Sequence, residues 1–85
     1  MRCLLVYDIP DDRTRTRVSE ACLDYGLERI QYSAFLGELT PIYRRELMKR
    51  LRHILGKQAG KIQCFPLCER DWNARDEIIR EEPSK

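Results

Sequence analysis

The run Cys3-Leu4-Leu5-Val6-Tyr7, followed by Asp8-Ile9-Pro10, restricts this chain more than any other stretch. A short apolar run of branched and aromatic residues, ended by a proline, reads as a β-strand buried on both faces. Pro10 has no N–H to give to a ladder and pushes Ile9 into extended backbone, so the chain turns there. Asp8 then stands at the carboxyl end of a central strand, where a charge needs a partner. Two readings of it stay open. It can start the turn by accepting backbone N–H groups, or it can hold a metal ion or face a phosphate.

Beyond the turn, Asp11 or Asp12 can cap a helix beginning near Arg13. Val18, Ala21, Cys22 and Tyr25 repeat at helical spacing, and Gly26 ends the helix at a position of positive φ. Arg13, Arg17, Glu20 and Asp24 fall on its outer face, with Arg15 projecting sideways. Residues 27–39 alternate as strand material, with Ile30, Tyr32 and Ala34 set against Gln31, Ser33 and Phe35. They predict two short strands, or one bent strand, changing near Tyr32–Ala34. Thr40 caps a second helix that Pro41 opens. Its core face is Ile42, Leu47, Met48, Leu51, Ile54 and Leu55; Arg45, Lys49, Arg52 and His53 lie opposite. Such a row is ordinarily a solvated face, and it can also track a nucleic-acid backbone. Lys61–Leu67 is a last strand, and Pro66 confines it to a sheet edge.

Strand, helix, strand, strand, helix, strand is the split βαβ, or ferredoxin-like, order. The fold expected is therefore an α+β sandwich, βαββαβ, with an antiparallel sheet over residues 1–68. Residues 69–85 form a polar C-terminal segment. Trp72, Ile78 and Ile79 would be costly to leave wet, so this segment is expected to dock on a partner subunit.

At 85 residues the chain is one small domain. A chain this size gains from burying further area in an oligomer, so a homodimer is expected. No apolar run approaches the roughly 20 residues of a membrane span, and the N-terminus lacks a signal-peptide pattern, which predicts a cytoplasmic protein with no membrane association. Residues 1–68 carry 12 Lys/Arg against 8 Asp/Glu, whereas residues 69–85 carry 4 against 6. The compact part is thus basic, which favours a polyanion partner. Cys3, Cys22, Cys64 and Cys68 lack the paired spacing of zinc sites and read as buried reduced thiols.

No glycine-rich phosphate loop is present, and His53, amid basic residues, is a solvated side chain rather than a general base. Asp8 remains. One carboxylate is too few for a dedicated Mg²⁺ site, but two copies facing across a two-fold axis could bind one ion with waters and a phosphate oxygen. Arg15, Arg17 and Arg29 could clamp phosphates. Ser33 could hydrogen-bond a phosphate, and Tyr7 and Phe35 could stack bases or be ordinary core.

Val6-Tyr7-Asp8-Ile9, Arg15-x-Arg17-Val18 and Tyr25-Gly26-Leu27-x-Arg29-Ile30-Gln31-Tyr32-Ser33-Ala34-Phe35 together resemble the small CRISPR-associated endoribonuclease family, the non-integrase partner in spacer acquisition. The resemblance covers most of residues 1–55. It implies a ferredoxin-like homodimer with the Asp8 pair near the two-fold axis, and Mg²⁺-dependent cleavage of RNA, in some members of duplex DNA. It implies Asp8 as the metal ligand, and Tyr7, Arg15, Arg17, Arg29, Ser33 and Phe35 as activity-linked. It also implies a bridging role, the dimer sitting between two integrase dimers and holding DNA. A nuclease and a non-catalytic DNA-binding adaptor are therefore both expected functions, with a toxin-like RNA interferase of similar fold as a third.

Overall fold

The computed structural model describes residues 1–82. The elements are β1 (Arg2–Asp8), α1 (Asp12–Asp24), β2 (Glu28–Gln31), β3 (Ala34–Glu38), α2 (Pro41–Leu55), β4 (Lys61–Leu67) and a short α3 (Glu69–Asn73). The four strands form one antiparallel sheet in the order β2-β3-β1-β4. This is the expected ferredoxin-like sheet, with β1 central and β4 at an edge. Pro66 sits opposite Cys3 on that edge, where its missing N–H costs no inner ladder bond.

Local chemistry sets the helix ends. The Asp11 carboxylate accepts from the Thr14 N–H at 2.9 Å and so caps α1. That capping bond, followed by the side-chain bond from Thr14, holds the Asp11 carboxyl below its ordinary pKa. At the other end the Leu27 N–H reaches the Cys22 carbonyl and the Gly26 N–H reaches the Leu23 carbonyl. This is a Schellman ending, and Gly26 takes the positive φ it requires, +82°. Thr40 accepts from the Tyr43 N–H at 3.1 Å, with Pro41 opening α2 as expected.

Cys3, Leu5, Tyr7 and Phe35 face the helices and pack with Val18, Cys22, Leu47 and Leu51 in one core. Each large apolar side chain buried there contributes about 1.5–3 kcal/mol. Ile42, expected on the core face of α2, is 61% exposed instead. At 3.6 residues per turn it lies on the other side of the helix from the buried Leu47, Leu51 and Ile54.

The strand β1 is not buried on both faces. Cys3, Leu5 and Tyr7 are buried, whereas Leu4 and Val6 are only half-buried and Asp8 is exposed. The two long helices, α1 and α2, pack on the same side of the sheet, so the far side keeps Leu4, Val6, Leu36 and Phe65 uncovered by either. The chain after β4 partly shields one end of that side. The Trp72 ring meets the guanidinium groups of Arg2, 4.8 Å from its centre, and Arg75, 3.6 Å away, and Arg2 also pairs with Glu69 at 3.0 Å. Trp72 is thus half-buried within its own chain. Ile78 and Ile79 stay exposed.

Candidate nucleic-acid and metal site

The sheet divides the residues expected to act together. Side chains alternate across a strand, so Tyr7 enters the helix side and Asp8 emerges on the open side. Asp8 pairs in register with Lys61 of β4. Among the described residues its carboxylate has no hydrogen-bond partner, and the turn that follows is instead closed by Asp11. No group of three or more His, Cys, Asp or Glu side chains suited to a metal ion occurs among the described residues.

On the helix side, Tyr7, Asp12, Arg15, Thr16, Ser19, Arg29 and Tyr32 line a cavity of about 410 Å³. Arg29 is held there from three elements. It donates to the Ser19 hydroxyl of α1 at 2.6 Å and to the Tyr32 carbonyl of the β2–β3 turn at 2.7 Å. Its guanidinium also lies 5.0 Å from the centre of the Phe35 ring. Arg15 donates to the Ile9 and Pro10 carbonyls, both at 2.8 Å, and pairs with Asp12. These bonds fasten the turn immediately after Asp8 to α1.

Phe35 is fully buried and stacks with Tyr7 at a centroid distance of 6.2 Å, so neither ring offers a face to a base. Of the two readings left open for this pair, the core one holds. Burial raises the Tyr7 phenol above its ordinary pKa, the nearby Arg29 charge opposing part of that rise. Ser33 contributes its backbone: the carbonyl accepts from the Tyr7 N–H at 3.0 Å and ties the end of β1 to the turn. Arg17 does not join this group. It is exposed on α1 and lines a separate groove of about 960 Å³ with Glu20, Lys49, Arg52 and His53, between α1 and α2.

Sequence reasoning missed Ser19, Thr16 and Tyr32. Ser19 lies four residues after Arg15, hence on the same helical face, which is the signal that could have found it. Nothing local marks Tyr32, whose place depends on the turn between β2 and β3. The thiols are free, and burial pushes Cys22 up to about 12 and Cys64 up to about 11. Cys68, expected to be buried, is exposed; its sulfur instead accepts from the Asp71 N–H at the start of α3.

Comparison with known proteins agrees with this architecture. Residues 1–75 match the family model described as CRISPR associated protein Cas2. The CRISPR-associated endoribonuclease Cas2 of Desulforudis audaxviator is 49% identical over 71 residues, covering 84% of this chain and 67% of the relative. The CRISPR-associated endoribonuclease Cas2 2 of Chloroflexus aurantiacus is 45% identical over 75 residues, covering 88% of each. A relative in Thermoproteus tenax, 36% identical over 82% of this chain and 26% of its own length, is a CRISPR-associated endonuclease Cas1/endonuclease Cas2 fusion. Among solved structures, that of Streptococcus pyogenes Cas2 at pH 6.5 superposes with a TM-score of 0.78 at 27% identity, covering 94% of this chain and all of the other. On a match spanning nearly the whole fold and relatives of this identity, the chain belongs to the CRISPR-associated Cas2 family.

Proposed function

We propose that this protein is a Mg²⁺-dependent endonuclease cutting RNA or duplex DNA that works as a homodimer beside the CRISPR integrase in spacer acquisition. The observation that carries the proposal is the position of Asp8. Its carboxylate is exposed at the end of β1, on the same face as Leu4, Val6, Leu36 and Phe65, over which neither α1 nor α2 packs. Packing that face on a second copy buries apolar area and brings two Asp8 residues to one seam.

One carboxylate from each copy suits Mg²⁺, which usually takes one or two carboxylates together with waters and substrate phosphate oxygens. Asp8 fits this demand because its oxygens accept and, among the described residues, are not consumed by the fold. The ion, when bound, polarises the phosphodiester and lowers the pKa of a coordinated water. Asp8 supplies negative charge to hold it. Arg15 keeps the strand end that presents Asp8 fastened to α1. The endoribonuclease names of the relatives support the reaction class, and the fusion in Thermoproteus tenax supports the integrase as partner.

The second reading is a non-catalytic DNA-binding adaptor between integrase dimers. It is favoured by α2, on which Arg44, Arg45, Lys49 and Arg52 make no ion pair among the described residues. An unpaired basic row of this kind suits a phosphate backbone.

The test is Asp8→Asn in purified protein, assayed on single-stranded RNA and duplex DNA with Mg²⁺ and with chelator, beside duplex binding. The nuclease predicts cleavage lost in the variant and in chelator, with binding kept. Cleavage that survives in Asp8→Asn overturns it. Absence of cleavage in the unaltered protein, with duplex affinity falling at about −0.9 per phosphate neutralised on a log–log salt plot, leaves the adaptor.

A further inference from the structure

We infer that Lys61 is the phosphate-binding cation of the Asp8 site. The inference rests on the proposed role of Asp8 and adds to it the residue that holds the nucleic-acid strand there.

Chemistry at Asp8 requires positive charge on the same face of the sheet, because a strand carrying phosphates cannot reach a carboxylate without compensation. The three arginines of the sequence pattern do not provide it within the chain. Arg15 and Arg29 line the cavity on the helix side, and both are engaged, the first with two carbonyls and Asp12, the second with Ser19 and Tyr32. Arg17 lies in the groove between α1 and α2. Arg2 does emerge on the open face, but at the opposite end of β1, where Trp72 and Glu69 occupy it.

Lys61 is placed differently. It is the register partner of Asp8 in the β1–β4 ladder, so the two side chains leave neighbouring strands on the same face. It is exposed, and it makes no ion pair among the described residues, not even with Asp8. Its ammonium is therefore available for an oxygen other than that of Asp8.

The backbone fixes this juxtaposition. Gly60, just before Lys61, approaches so closely that a Cβ there would lie 3.1 Å from Ile9 Cγ1, 3.1 Å from Leu55 Cδ1 and 3.3 Å from the Asp8 carbonyl oxygen. The entry to β4 is thus pressed against the end of β1, and the register of Lys61 with Asp8 has little room to slip. A compact ammonium carrying three donors is suited to a phosphate as a point charge.

The experiment compares Lys61→Gln and Lys61→Arg with the unaltered protein. Binding of a short labelled single-stranded RNA is measured across a salt series in chelator, where no cleavage occurs, and cleavage is measured separately with Mg²⁺. For Lys61→Gln the log–log salt slope becomes shallower by about 0.7 for each phosphate no longer neutralised. KM rises about tenfold with kcat little changed, the size expected for one charged hydrogen bond. Lys61→Arg restores both. An unchanged slope and KM in Lys61→Gln, with melting intact, overturns the inference and leaves Lys61 a cross-strand neighbour only. The chelator arm needs no catalysis, so loss of the Asp8 reading, seen as cleavage surviving in Asp8→Asn, remains distinguishable from loss of this one.

Discussion

Tyr7 and Asp8 are adjacent in the chain and lie on opposite faces of the sheet, the phenol buried beneath α1 and the carboxylate exposed on the open side. A period of two along a strand makes this unavoidable. The residues gathered by the sequence pattern therefore separate into an acidic end on one face and a guanidinium cavity on the other. The two groups are joined through the backbone, where Arg15 holds the Ile9 and Pro10 carbonyls just after Asp8.

Arg15 is expected to behave as a fastener. Arg15→Gln removes the bonds to the Ile9 and Pro10 carbonyls, so amide exchange across residues 9–12 should accelerate and cleavage should fall. The salt dependence of RNA binding should stay unchanged. A slope shallower by about 0.7 would instead show Arg15 meeting phosphate. Arg17→Gln, lying in the other groove, should leave exchange at residues 9–12 untouched.

Ser19 should matter although no motif contains it. Its hydroxyl accepts from Arg29 at 2.6 Å, and Ser19→Ala should lower stability by about 1 kcal/mol in urea unfolding, the usual net worth of one hydrogen bond. Arg29 is largely exposed and keeps the Tyr32 carbonyl, so a loss above about 3 kcal/mol would be inconsistent with this assignment.

Gly37 and Gly26 should fail for different reasons. A Cβ on Gly37 would meet Leu27 Cδ2 at 2.8 Å and Leu27 Cα at 3.2 Å. Gly37→Ala therefore forces backbone apart and should cost about 1–3 kcal/mol. Around Gly26 a Cβ would find open space, and only its φ of +82° resists substitution, so Gly26→Ala should cost about 1–2 kcal/mol. Denaturant midpoints of the two variants test the order.

Alkali should unfold the protein through its core thiols. Cys22 is raised from 9.0 to about 12 and Cys64 from 9.0 to about 11, in both cases chiefly by burial. A raised pKa in the fold means stability is full below about pH 9 and is lost as pH climbs toward 11–12. The denaturation midpoint should thus drop between about pH 8.5 and 11, and Cys22→Ala should flatten part of that drop. At about pH 8 a thiol reagent should modify Cys68 promptly and Cys3 and Cys22 only after unfolding, since only the first of these is exposed.

Much of the fold was legible because its signals are local. The Thr40-Pro41 start, the Gly26 stop and the edge position demanded by Pro66 each follow from one or two residues, and each stands where expected. Which faces of β1 are covered was not legible, and the expectation of burial on both failed. An apolar run does not say whether its second face is covered by helices or left open, and here α1 and α2 pack on the same side. The guanidinium site was half legible: Arg15 and Arg29 do share a cavity. Arg17 shares only a helix with Arg15, and a step of two residues along a helix turns a side chain to a different face. The separation of Tyr7 from Asp8 was implied by strand periodicity alone.

In the proposed homodimer, leaving Leu4, Leu36 and Phe65 outside the core of one chain makes heat resistance a matter of quantity. Chains that shield these side chains on one another gain free energy that grows with the logarithm of their abundance. Scarce molecules then melt sooner than plentiful ones, and the rate of synthesis becomes a determinant of how long each survives.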